Sequence, residues 1–215
     1  RLVRSALSPI FVLTTNMTAA SPAQPAFSIC VYCGSRPGTQ AAHAQTARAV
    51  GRWIGERGGQ LVYGGGRSGL MGQVADAALA AGARVVGVIP QSLVDREHAH
   101  RGCTELHVVQ TMHERKRLMA ERADAFLALP GGIGTMEEFF EAWTWRQLGY
   151  HDKPVGLLNQ DGYYDALLQF MRDGVRGGFM DEEQMRFVAT GSQWQPLLEE
   201  LIHRGGFAAP MRLGA

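Results

Sequence analysis

Two glycine-rich segments and one cationic run hold the residue types that could do chemistry in this chain. PGGIGTMEE, Pro130 to Glu138, follows an apolar run and opens a helix-like pattern. Gly131, Gly132 and Gly134 free the backbone for a tight turn, and Thr135 reads as the N-cap of the helix that follows. Amides at a helix start lack intrahelical partners and sit at the positive end of the macrodipole, so this turn could face an anion. Glu138 lies three residues after Thr135 and carries two readings. It is either the partner in a capping box or a carboxylate held beside a ligand. GGGRSG, Gly64 to Gly69, fits G-x-G-x-x-G between a strand pattern and a helix pattern, which suits close approach to a phosphate. MHERK, Met112 to Lys116, puts Arg115 and Lys116 at a helix start, where cations oppose the dipole unless an anion is bound. A solvated charged face is the alternative there.

Other constellations are weaker. GGGRSG alone could also serve only to pack helix against sheet, but two such turns on one sheet edge are harder to dismiss as packing. A dinucleotide site wants an acid about 20 residues beyond the glycines, and the next strand ends VVGVIP without one, which argues against NAD or FAD. Cys30 and Cys33 spell C-x-x-C inside a strand, where an offset of three sends the side chains to opposite faces, so a redox pair is not expected. His98, His100 and His107 lack companion ligands at metal-site spacing, and His113 reads as a surface residue.

The elements that must position these residues alternate. Strands are expected at Ser28–Tyr32, Gln60–Tyr63, Arg84–Ile89, Ala125–Leu129 and Lys153–Leu158. Helices are expected over Gln40–Arg57, Leu70–Ala81, Met112–Arg122, from the PGGIGT turn to Leu148, and then over Tyr163–Asp173, Asp181–Val188 and Gln195–His203. The stretch QSLVDREHAHRGCTELHVVQ is a polar crossing without an assigned element. Phe139, Phe140 and Trp143 form an aromatic stripe at helical spacing, read as core with a subunit interface as the alternative. The fold class is α/β: a doubly wound, mostly parallel Rossmann-like sheet with helices on both faces, one domain over residues 27–215. Such sheets bind ligands outside the carboxyl ends of their strands, where both glycine-rich turns fall.

Composition narrows the function classes. In 215 residues, 21 Lys plus Arg against 20 Asp plus Glu leave a net charge of +1, no field for nucleic acid or an anionic membrane. Lys116 and Lys153 are the only lysines, so cationic work falls to arginine forks suited to carboxylate or phosphate. Three cysteines make no disulfide framework, and a cytoplasmic setting is expected. Residues 1–26 are expected to be a disordered leader, with Met17 read as the start, and no later run approaches the roughly 18 apolar residues of a membrane span.

Taken in order, GGGRSGLMG, DRE at Asp95 to Glu97, MHERK and PGGIGTMEE resemble the Lonely Guy family of cytokinin riboside 5′-monophosphate phosphoribohydrolases, once mislabelled as lysine decarboxylases. CGS at Cys33 to Ser35 and HDKPVGLLN at His151 to Asn159 match as well, and the resemblance runs from about Ser28 to Leu168. It implies hydrolysis of the N-glycosidic bond of an adenosine-type 5′-monophosphate without a cofactor, a nucleotide substrate as partner, and a homodimer with the site near the subunit boundary. By position, Arg115 and Glu138 would be the catalytic pair. Ser35, Gly65, Gly66, Glu97, Met112, Lys116, Gly131, Gly132, Ile133, Gly134 and Thr135 would contact substrate. A carboxylate suits the oxocarbenium character that develops on the sugar. Arginine, permanently charged, is a poor proton donor. The alternative is a non-catalytic nucleotide or molybdenum-cofactor carrier, since the same sheet and turn occur there. A pyridoxal phosphate decarboxylase would need a Schiff-base lysine, which neither lysine is placed to supply.

Overall fold

A computed structural model describes residues 24–94 and 98–207. Seven parallel strands form one sheet: β1 (Ser28–Tyr32), β2 (Gln60–Tyr63), β3 (Arg84–Pro90), β4 (Glu105–Val109), β5 (Ala125–Ala128), β6 (Val155–Leu158) and β7 (Val188–Gly191). Their order is β4-β3-β2-β1-β5-β6-β7. The chain therefore builds outward from β1 to one edge, returns to the centre, and builds outward again. This reversal opens a crevice beyond the carboxyl ends of β1 and β5.

β1, β2, β5 and β6 are buried at every position, as strands covered on both faces must be. One face carries α1 (Ala41–Glu56), α2 (Gly69–Ala80) and α7 (Trp194–Arg204), whose Val50, Trp53, Val74 and Leu198 pack on Ile29, Leu61 and Leu127. The other carries α3 (Met112–Arg122), α4 (Ile133–Gln147) and α5 (Asp165–Arg176), with Met119, Phe139, Trp143 and Met171 against Cys30, Val62 and Phe126. The aromatic stripe of α4 is thus core, and Trp143 donates its indole N–H to Gln184 O at 3.0 Å beside α6 (Glu182–Arg186). Cys30 and Cys33 fall in opposite cores, and burial pushes both thiols well up.

Two expectations are corrected. The polar crossing contains strand β4, which sits at the sheet edge and so shows no continuous apolar run. The helix expected over Asp181–Val188 is a single short one, and Val188 opens the other edge strand, β7. Most of the expected leader, residues 1–23, lies outside the described residues, whereas Ala26 N already donates to Gly58 O at 3.0 Å. Among the described residues no helix is long and apolar enough to cross a membrane.

The β3–β4 connection is clipped to the glycine segment after β2. Ala99 bridges Gly66, His100 N donates to Gly65 O at 2.8 Å, and Arg67 N donates to His98 O at 3.0 Å. His100 itself is buried between Tyr63 Oη, 3.0 Å from Nδ1, and Asp76, 3.2 Å from Nε2. Burial lowers its pKa, with Asp76 opposing and Arg67 assisting. His151 is lowered mainly by burial too. Unfolded chains therefore bind protons that these two folded sites refuse, so stability is full above the ordinary histidine value near 6.5 and declines as pH falls below it. Melting temperature should drop between about pH 7.5 and 5.5, and the drop should be shallower in His100→Gln; parallel curves for variant and parent would refute this role for His100.

Candidate active site

The crevice holds a cavity of about 730 Å³ whose walls come from three turns. Cys33 to Gln40 follow β1, Leu70 and Met71 open α2, and Pro130 to Thr135 follow β5, with Glu138, Arg115, His43 and Tyr163 closing the sides. The turns are stitched together by backbone: Gly34 N donates to Pro130 O at 3.2 Å, and Leu70 N donates to Gly34 O at 2.9 Å. Two glycines make this approach possible. Gly69 has φ +60°, and a Cβ there would lie 2.4 Å from Arg36 N; a Cβ on Gly131 would lie 2.1 Å from Thr135 Oγ1.

The start of α4 departs from the sequence expectation. Gly132, not Thr135, is the N-cap, and it supplies no side-chain bond to the first turn. Thr135 is buried within that turn, and the exposed Ile133 flanks it. The amides of the first turn therefore border the cavity as unpaired donors in the helix sense. Glu138 cannot close a capping box, since it stands six positions into the helix rather than three. Capping boxes lie instead on α3, between Thr111 and Glu114, and on α6, between Asp181 and Gln184.

Arg115 is the pivot of the site. Its Nε donates to Val88 O at 3.1 Å and one Nη to Gly64 O at 2.9 Å, while the other Nη stands 3.8 Å from Glu138 Oε1. That last separation is an ion pair rather than a hydrogen bond. Both side chains are nearly enclosed, at 6% and 12% exposure, so little water screens the pair. Glu138 stands beyond the first turn of α4, where the effect of the helix dipole has faded.

Neither cation of MHERK is solvated, and each has an acid of α4 as its anion. Lys116 is buried between Glu137 and Glu141, the latter at 2.9 Å. Burial alone would lower the lysine's pKa, but the hydrogen bonds it donates to the two carboxylates outweigh it and the net shift is upward. Of the substrate-contacting residues expected from sequence, Ser35, Gly131, Gly132, Ile133, Gly134 and Thr135 line the cavity together with Arg115 and Glu138. Gly65, Gly66, Met112 and Lys116 are not among its lining residues; Gly65 and Gly66 hold the 98–100 segment, and Met112 touches the Arg115 guanidinium through sulfur at 3.9 Å. Glu97 lies outside the described residues. Sequence reasoning missed Arg36, His43, Met71 and Tyr163 as lining residues. His43 Nε2 is buried without a hydrogen-bond partner among the described residues, an arrangement that costs about 1–3 kcal/mol unless a ligand or water completes it. The histidines at 98, 100 and 107 have separate partners, Ser68, Tyr63 with Asp76, and Glu105.

Residues 71–201 match the family model described as possible lysine decarboxylase. The chain is 53% identical over 154 residues to a cytokinin riboside 5′-monophosphate phosphoribohydrolase of Rhodococcoides fascians, an alignment covering 71% of this chain and 78% of that protein. It is 49% identical over 174 residues to the like-named protein of Oryza sativa subsp. japonica, covering 81% and 70% respectively. Among solved structures, the molybdenum cofactor (Moco) carrier protein of Chlamydomonas reinhardtii superposes with a TM-score of 0.62 at 19% identity, over 85% of this chain and 98% of that one. The molybdenum cofactor binding protein of Rippkaea orientalis gives 0.62 at 22%, again over 85% and 98%. These two share the fold.

Lysine could not replace the planar fork that Arg115 inserts between two carbonyls. Arg115→Lys should leave one buried carbonyl unpaired and destabilise the protein by about 1–3 kcal/mol, or roughly 2–12 °C in melting temperature for a domain of this size. An unchanged melting temperature would remove Arg115 from its anchoring role.

Proposed function

The chain belongs to the family described as possible lysine decarboxylase, within its cytokinin riboside 5′-monophosphate phosphoribohydrolases, and we propose that it hydrolyses the N-glycosidic bond of an adenosine-type 5′-monophosphate, releasing free base and ribose 5-phosphate. One observation supports the assignment of roles above others: Glu138 lines the cavity one turn inward from the uncapped start of α4, with Arg115 beside it. The first-turn amides would take the phosphate, which leaves the carboxylate to meet the sugar.

In this reading water adds to the anomeric carbon while the bond to the base nitrogen breaks, and its electron pair leaves with the base, which takes up a proton from solvent as it is released. Glu138 stabilises the positive charge that develops on the ribose and accepts a proton from the water. Arg115 holds that carboxylate in place; it does not donate a proton to the base. The decarboxylase description does not fit the residues. Lys116 is engaged by two carboxylates and Lys153 donates to Ala120 O at 2.7 Å, so neither lysine is placed at the cavity for a Schiff base. A carrier role draws support only from the shared sheet, at 19–22% identity.

AMP is the simplest substrate of the class, and a homodimer in the cytoplasm is the setting we favour, given three cysteines free of disulfides. Glu138→Gln keeps the shape and removes the charge. Its kcat for adenine release from AMP should fall by about 10²–10⁴-fold while nucleotide still binds, measured by chromatography and calorimetry. Turnover at the parent rate would dismiss Glu138 as the reacting carboxylate.

A further inference from the structure

Three successive carbonyls of the turn between β5 and α4 are each held by a donor from elsewhere in the chain. Tyr164 Oη donates to Leu129 O at 2.8 Å, Gly34 N to Pro130 O at 3.2 Å, and Tyr163 Oη to Gly131 O at 2.7 Å. The last of these bonds falls where the backbone has least stiffness of its own. The peptide between Gly131 and Gly132 is flanked by two residues without a Cβ, so local sterics do little to fix its plane. A contact from outside the turn must do so, and the Tyr163 hydroxyl makes it.

That peptide is trans, so its N–H points opposite to its C=O. The N–H belongs to Gly132, the N-cap of α4, and has no acceptor among the described residues. It joins the first-turn amides as a donor beside the cavity, which Gly131, Gly132 and Tyr163 all line. The Leu129–Pro130 peptide differs, because a proline nitrogen carries no hydrogen. Holding Leu129 O braces the turn but aims no donor.

Tyr163 is presented by a tightly wound turn after β6, in which Asp161 and Gly162 take φ values of +52° and +73°. Asn159 closes that turn, accepting from Tyr164 N at 2.7 Å and donating to Asp165 Oδ1 at 2.7 Å. The Tyr163 ring then stands edge-on to Tyr164 at 4.7 Å and to His43 at 5.6 Å, which limits where its hydroxyl can go.

We infer that Tyr163 is a positioning residue of this site: its hydroxyl sets the plane of the Gly131–Gly132 peptide, and through it the direction in which Gly132 N–H is offered to the 5′-phosphate. The inference rests on the nucleotide reading above and concerns recognition, not bond cleavage.

The test uses the full chain, with ribose 5-phosphate as binding probe and AMP as substrate. Tyr163→Phe keeps the ring and removes the hydroxyl. It should bind ribose 5-phosphate about 3–10-fold more weakly in calorimetry and raise KM for AMP by a similar factor, with kcat changed by less than that. Its melting temperature should stay within about 2 °C of the parent, since the lost bond is solvent-exposed and water can take its place. Tyr164→Phe strips a buried carbonyl of its donor and should instead lower the melting temperature, with ribose 5-phosphate affinity within about twofold of the parent. Where ribose 5-phosphate binds too weakly to titrate, the KM ratios decide. Parent-like affinity and KM in Tyr163→Phe overturn the inference, and so does an equal loss in both variants, which would make the two hydroxyls braces of the turn and nothing more. A parent that binds ribose 5-phosphate yet frees no adenine from AMP defeats the hydrolase reading alone, while the binding comparison still decides Tyr163.

Discussion

A guanidinium shut inside a protein must be matched, and the way Arg115 is matched sets out the whole site. Two of its nitrogens are taken by carbonyls at the ends of neighbouring strands, Val88 of β3 and Gly64 beyond β2. The third nitrogen points toward Glu138 of α4. Removing water from both charges would be costly were they not fixed opposite each other. One side chain therefore ties the sheet, α3 and α4 into a single relative position, and the carboxylate inherits that position. Lys116, one residue on, repeats the linkage with Glu137 and Glu141. The α3–α4 contact is thus made by charge across a small gap as much as by Met119 and Phe139 beneath it.

Much of this was legible in the sequence because strong patterns were local. Buried parallel strands read as unbroken apolar runs, and α3 was read over Met112–Arg122, where it lies. What escaped was set by neighbours distant in sequence. β4 is an edge strand whose Glu105 pairs with Arg84 and whose His107 meets Glu105, so its polar composition hid it. Thr135 and Glu138 have the spacing of a capping box, and only the tertiary pull of Arg115, together with Gly132 taking the cap, separates that motif from the arrangement found. Similarly, the cations of MHERK looked solvated or ligand-seeking because their carboxylate partners lie on another helix. His43 and Tyr163 carry no motif at all. They meet because the loop after β1 and the segment after β6 converge on the Gly131 turn.

The sheet order explains why the chemistry gathers where it does. Strand β1 is central, and the loops leaving β1 and β5 depart in opposite directions, so neither fills the space between them. Helices α1 and α4 then begin on either side of the opening. The two solved carrier structures share this fold, and a crevice beyond the carboxyl ends of the strands is what such a topology provides.

The thiols have a practical bearing. Cys30 and Cys33 are buried in separate cores, and Cys103 Sγ lies 3.2 Å from the Tyr63 hydroxyl, so burial keeps all three protonated at neutral pH. Alkylating reagents attack the thiolate, which leaves the native chain a quiet background. A single cysteine introduced on an exposed helix face would accept a fluorophore or spin label selectively, with no need to delete the natural ones first.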